Sequence, residues 1–124
     1  MSGKTILHVE DNDFNRKIVR DLLAHTSYRL IEANDGEMGV ALALQELPDL
    51  ILMDVQMPKV SGLEATRTLR ADPKTAKIPI IAVTSFALSG DDKKATEAGA
   101  SAYLAKPYSP RTLLNLIRQF LPET

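Results

Sequence analysis

Three carboxylates, a hydroxyl and an ammonium stand at the ends of apolar runs in this chain. Glu10 and Asp11 close the run Ile6 to Val9, and Asp54 closes Leu50 to Met53. Thr84 ends Pro79 to Val83, and Lys106 follows Ala102 to Ala105. Burying an unpaired carboxylate costs several kcal/mol, so an acid at the end of a buried run belongs at a solvent-facing mouth. Carboxylates gathered at one mouth repel unless a cation intervenes or one of them protonates. An all-oxygen site with few protein ligands suits Mg²⁺, which keeps waters and commonly binds phosphate. A hydroxyl donor and an ammonium facing such acids are what a transferring phosphoryl group requires, because catalysis there is mainly positioning and charge stabilisation. The set describes an acyl-phosphate site with Asp54 as the nucleophile, attacking phosphorus in line. For the acid pair alone, three separately solvated loop carboxylates fit equally well. Thr84 and Lys106 shift the balance toward phosphate.

These residues meet only if the runs lie side by side as parallel strands. Apolar runs and helical patterns alternate five times: strands at Ile6–Val9, Arg29–Ala33, Leu50–Met53, Pro79–Thr84 and Ala102–Ala105, with a helical segment after each. Phe14, Ile18 and Leu22, joined by Val19 and Leu23, mark the first helix face at four-residue spacing, capped by Asn12 or Asp13. Gly36 to Leu47 carries a second helix stopped by Pro48, and Leu63, Thr66 and Leu69 a third with Gly62 before it. Asp91 to Ala98 is helical but poorly amphipathic and is expected to be the least firmly held. Leu113, Ile117, Phe120 and Leu121 share a face of the last helix, with Pro110 near its first turn.

Five βα units with buried strands predict an α/β fold, a doubly wound five-stranded parallel sheet, (βα)5. The flavodoxin-like order 2-1-3-4-5 puts the one polar strand, the second, at an edge and the switch point between strands one and three. The 124 residues make a single domain spanning 1–124, with a formal charge of −1 that argues against nucleic-acid binding. The absence of cysteine excludes thiol chemistry and thiolate metal sites. The first apolar run is too short for a signal peptide and no stretch approaches a membrane span, so a cytoplasmic protein is expected.

Five segments then fall into a known order. Val9-Glu-Asp-Asn12, Pro48 to Pro58 with Asp54 inside it, Ser61-Gly-Leu63, Ala82-Val-Thr84 and Lys106-Pro107 together resemble a response-regulator receiver domain of the stand-alone type, over nearly the whole chain. Each segment alone is weak evidence; all five at these spacings are specific. The resemblance implies that Asp54 accepts phosphate from a phosphohistidine on a sensor kinase or phosphotransfer protein. It implies that Asp11, Asp54 and the backbone carbonyl of Gln56 hold Mg²⁺, with Glu10 acting through water. Lys106 would pair with a phosphoryl oxygen, Thr84 would hydrogen-bond it, and Tyr103 would be the coupled rotating switch. It also implies a cis bond between Lys106 and Pro107.

The resemblance further implies a phospho-acceptor that assists its own phosphorylation rather than an enzyme in the ordinary sense. Its output would be phosphorylation-dependent contacts with an unknown protein, as a monomer or a phosphorylation-linked dimer, or relay of the phosphate. A segment of a larger hybrid kinase or regulator and a phosphate-independent interaction module are the rivals. No Gly/Ser/Thr-rich phosphate loop follows the first strand, as a flavin protein would need. Asp54 lacks the second aspartate two residues on that a haloacid-dehalogenase-type phosphatase carries. Two positions match less well. His8 stands mid-strand where receivers carry an aliphatic residue, as a hydrogen-bonded neutral core histidine or a titrating group. Phe86 would either shield the acyl phosphate or pack a loop.

Overall fold

Alternation in the strands decides the architecture. In β3 (Leu50–Asp54), Leu50 and Leu52 face one side of the sheet and Ile51 and Met53 the other, and all five residues are buried. A strand apolar on both faces must be covered on both faces. The computed structural model describes residues 3–57, 60–84, 91–106 and 108–122. Its strands β1 (Thr5–Val9), β2 (Arg29–Ala33), β3, β4 (Ile80–Thr84) and β5 (Ala102–Ala105) form one parallel sheet in the order β2-β1-β3-β4-β5. Helices α1 (Asp13–Leu23) and α5 (Pro110–Phe120) pack on one face around Ile6, Leu50, Leu52, Ile81 and Val83. Helices α2 (Gly36–Glu46) and α3 (Gly62–Ala71) cover Leu7, Val9, Ile51 and Met53 on the other, and α4 (Asp91–Ala98) packs Ala95 against Val55 and Ala82. The predicted order and fold class hold.

Local chemistry starts and stops the helices. Asn12, Asp35, Ser61 and Ser109 each accept a backbone N–H of the first turn, and Ser61 with Glu64 forms a reciprocal capping box. Pro110 occupies the first turn of α5, where its missing N–H costs nothing. Leu47 ends α2 in the left-handed conformation, φ 47°, just before Pro48.

One helix face and two boundaries differ from expectation. Phe14 and Ile18 are 69% and 36% exposed, so the face they mark is outward. Val19 and Leu23 make the buried stripe of α1, and Leu22 flanks it. Strand β4 begins at Ile80 rather than Pro79, since proline has no N–H for the ladder; Ile80 donates its own to Ser101 Oγ at 3.1 Å. Gly62 is the first residue of α3, not a residue before it.

The polar edge strand is shielded by charge. Arg20 on α1 donates twice to Glu32 on β2, at 2.8 Å each. One arginine sews together the opposite side. Arg70 on α3 donates to the carbonyls of Gly99, Ala76 and Ile78 at 2.8, 3.0 and 2.7 Å. It thereby ties the approach to β4 to the corner between α4 and β5. Gly99 has φ 111°, a conformation that disfavours any side chain there.

His8 is buried in β1, and its Nδ1 has no hydrogen-bond partner among the described residues. The reading as a neutral core histidine fits this burial, and this nitrogen does not supply the hydrogen bond expected with it. Burial depresses the imidazole to about 4, so it is neutral at physiological pH. Replacing it by leucine, of similar volume, is expected to stabilise the protein by about 1–3 kcal/mol at neutral pH, the cost of one buried unpaired polar group. A depressed imidazole is stabilising only above its ordinary value of 6.5 and loses that contribution as pH falls toward 4. The advantage of His8→Leu in denaturant titrations should therefore widen on acidification; a constant or shrinking gap contradicts this.

Candidate functional site

The C-terminal ends of β1, β3, β4 and β5 converge on one mouth. Each strand is held in register by its neighbour: Val9 pairs with Met53, Asp54 with Val83, and Thr84 with Ala105. The chain then leaves the sheet with an acid pair, an acid, a threonine and a lysine at nearly the same height. Gly62 lets α3 begin against this edge, because a Cβ there would lie 2.1 Å from the Asp54 carbonyl oxygen. Its N–H donates to Val55 O at 3.1 Å, closing the loop after β3.

Glu10, Asp11 and Asp54 each present a carboxylate oxygen, and these three atoms lie within 4.8 Å of one another. Glu10 and Asp54 are buried, Asp11 exposed. Lys106 Nζ reaches Glu10 Oε1 at 2.9 Å and stands 3.9 Å from Asp54 Oδ1. The ammonium of this form thus belongs first to Glu10. Asn12 N–H donates to Glu10 Oε2 at 3.2 Å, and Gln56 N–H to Asp54 Oδ1 at 3.2 Å. Thr84 is fully buried, and its hydroxyl accepts from the side-chain amide of Gln56 at 2.5 Å.

Burial and the neighbouring Glu10 charge push the Asp54 carboxyl up to about 7. Glu10 goes the other way: burial alone would raise it, but hydrogen bonds from Lys106 and Asp54 outweigh that and hold it below the usual carboxylate range. Crowding at one mouth thus favours a proton on Asp54 while Glu10, paired with Lys106, stays ionised. A divalent cation would replace that proton. Three hard oxygen donors, two buried and one facing solvent, fit Mg²⁺, which binds through few protein ligands and keeps its waters.

All the residues singled out around the mouth are brought together, Glu10, Asp11, Asp54, Gln56, Thr84 and Lys106. Tyr103 is half-buried and packs with Val55, Ala82 and Ala95 beside α4. Pro107 and Phe86, and with them the expected cis bond and phosphate shield, lie outside the described residues.

Two neighbours of the site went unread in the sequence. Arg16, only 13% exposed along its side chain, donates to the backbone carbonyl of Glu10 at 2.6 Å and so pins the loop that carries both acids. It also pairs with Asp13. Its signal was a cation in the first turn of a helix that follows an acid pair. Tyr108, half-buried beyond β5, lies near enough that burial together with the Glu10 and Asp54 charges pushes its hydroxyl up. Nothing in its local sequence marks that proximity.

Similarity to known proteins agrees with this geometry. The response regulator receiver domain profile matches residues 6–118. The chain is 42% identical over 118 residues to the polar-differentiation response regulator DivK of Brucella anthropi, covering 95% of this chain and 96% of that protein. Among solved structures, it resembles the receiver domain of a sensor histidine kinase from Pseudomonas aeruginosa, with a TM-score of 0.88, 37% identity and coverage of 95% of this chain and 97% of that one. A magnesium ion is coordinated in the active-site cleft of that structure. The chemotaxis protein CheY4 of Vibrio cholerae superposes with a TM-score of 0.89 at 28% identity, over 96% and 99% of the two chains. The chain belongs to the response regulator receiver domain family of two-component signalling.

Proposed function

We propose that this chain is a single-domain response regulator, residues 1–124, whose Asp54 accepts a phosphoryl group from a phosphohistidine. The observation that carries the reading is the three-carboxylate mouth with Lys106 seated on it, 2.9 Å from Glu10 and 3.9 Å from Asp54. In the transfer, an Asp54 carboxylate oxygen forms a bond to phosphorus as the N–P bond of the donor breaks. The electron pair leaves with the imidazole, which takes a proton from solvent. The attacking carboxylate must be ionised, so the proton that Asp54 carries near neutrality has to leave first.

Asp11, Asp54 and the Gln56 carbonyl would hold Mg²⁺, with Glu10 acting through water. The ion supplies positive charge against the carboxylates and the phosphoryl oxygens. Lys106 stands close enough to exchange its Glu10 partner for a phosphoryl oxygen, and Thr84 presents a hydroxyl donor at the adjoining strand end. Tyr103, packed beside α4, is the residue through which a change at Thr84 reaches the α4–β5–α5 surface. A phosphorylated form binds its partners differently because phosphorylation favours one of two conformations. The partners are a sensor histidine kinase or phosphotransfer protein upstream and a protein recognised through that surface downstream, in the cytoplasm. The chain assists phosphoryl transfer to and from itself and turns over no separate substrate.

Incubation with acetyl phosphate and Mg²⁺, followed by intact-mass measurement, tests the reading. One labile phosphoryl adduct is expected, lost when chelator replaces Mg²⁺. A chain that takes no adduct from acetyl phosphate or from a phosphorylated histidine donor is not a phospho-acceptor.

A further inference from the structure

Gln56 touches two parts of the site at once, with different atoms. Its backbone N–H donates to the Asp54 carboxylate at 3.2 Å, and its side-chain Nε2 donates to the Thr84 hydroxyl at 2.5 Å. The two hydroxyl and carboxylate partners sit on adjacent strands, 30 residues apart in sequence by their numbers, 84 and 54. A hydroxyl has one proton and two lone pairs, and an amide NH₂ can only donate. The amide therefore occupies a lone pair of Thr84 and turns the hydroxyl proton away from itself. A hydroxyl that already accepts a hydrogen bond is also polarised into a better donor.

We propose that Gln56 is a positioning residue: its amide holds the Thr84 hydroxyl as a donor toward the phosphoryl group being transferred to Asp54. This rests on the phospho-acceptor reading above. With acetyl phosphate the step is balanced as follows. An Asp54 carboxylate oxygen bonds to phosphorus, the bond from phosphorus to the acetyl oxygen breaks, and acetate leaves with the electron pair. No proton is transferred. Negative charge grows on the departing oxygen while the phosphoryl oxygens pass through the mouth. A hydroxyl whose lone pair is already engaged by the amide has less orientational freedom to lose when it donates to those oxygens. Without the amide, the Thr84 hydroxyl must be oriented during the reaction itself.

Gln56→Met removes the amide, keeps the length of the side chain and leaves the backbone N–H and carbonyl in place. At saturating Mg²⁺, the rate of adduct formation from acetyl phosphate is expected to fall about three- to tenfold, the worth of one net hydrogen bond. The same fall is expected in a Thr84→Ser background, where the hydroxyl remains. In a Thr84→Ala background Gln56→Met should cause no further slowing, and Mg²⁺ affinity should stay within about twofold throughout, since that ligand is a backbone atom. A merely structural role for Gln56 would slow all three backgrounds alike. Equal slowing in Thr84→Ala, or no slowing in the unaltered background, overturns the proposal while leaving Asp54 as acceptor. Failure of the unaltered chain to take an adduct from either acetyl phosphate or a phosphorylated histidine donor overturns both.

Discussion

With divalent cations removed and above neutral pH, Asp54→Asn is expected to be more stable than the unaltered protein by about 2–4 kcal/mol, and it should take no phosphoryl adduct. The two results share one cause. In the folded chain burial and the Glu10 charge raise the Asp54 carboxyl from 3.8 to about 7. Between those values the folded state holds a proton that the unfolded state has released. The contribution to stability is therefore complete below the unfolded value and is lost as pH rises through 7. Asparagine has no charge to desolvate, so its advantage should be near zero in acid and open across that window. Mg²⁺ binds the folded, ionised form of the unaltered protein and should close the gap from the other side. Urea titrations at several pH values, with chelator and with Mg²⁺, measure this directly. A gap independent of pH would mean that Asp54 is not the strained acid of the pair.

Lys106→Ala should be the most damaging single change at the mouth. Glu10 is 2% exposed and relies on the Lys106 ammonium to offset its burial. Truncating the lysine leaves a buried carboxylate with Asn12 N–H and its neighbour Asp54 but no counter-charge, at a cost of about 3–5 kcal/mol. The sign with pH follows from Glu10. Its lowered value stabilises the fold above its ordinary 4.5 and ceases to do so as pH falls. The deficit of Lys106→Ala is therefore largest at neutral and alkaline pH and shrinks in acid. Glu10→Gln added to Lys106→Ala should recover most of the loss, and the double-mutant cycle gives the pair's coupling. The variant should still bind Mg²⁺, with the repelling ammonium gone, yet lose the phosphorylation-dependent shifts that NMR would follow in α4 and α5. Wild-type stability in Lys106→Ala would mean that Glu10 is paired elsewhere.

Much of the fold could be read along the chain because it rests on short-range physics. Five apolar runs punctuated by Ser61, Pro48 and Pro110 marked where strands and helices lie, and right-handed parallel crossovers left few ways to order them. The polar composition of Arg29–Ala33 placed β2 at an edge. Phe14 and Ile18 show the limit of that approach. Four-residue spacing finds a stripe on a helix but not which of two overlapping stripes meets the sheet. Val19 and Leu23 are the ones the β1–β3 surface reaches.

The site divides in the same way. Strand ends, acid pairs and the positions of Thr84 and Lys106 are properties of residue order, so the membership of the cluster was legible before any coordinate. Which charges pair was not. That Lys106 sits on Glu10 rather than on Asp54 is a difference of about one ångström, and that burial and the Glu10 charge push the Asp54 carboxyl up, or that Gln56 reaches across to Thr84, depends equally on atoms brought together from distant parts of the chain. Arg16 and Arg70, which spend their guanidinium protons on backbone carbonyls rather than on carboxylates alone, are equally silent in a list of charges. Residue types and their spacing thus specify the elements and the inventory of reactive groups, because periodicity and turn chemistry act over a few residues. Burial and distance, which set the protonation of Asp54 and the partner of each donor, exist only once the strands lie side by side.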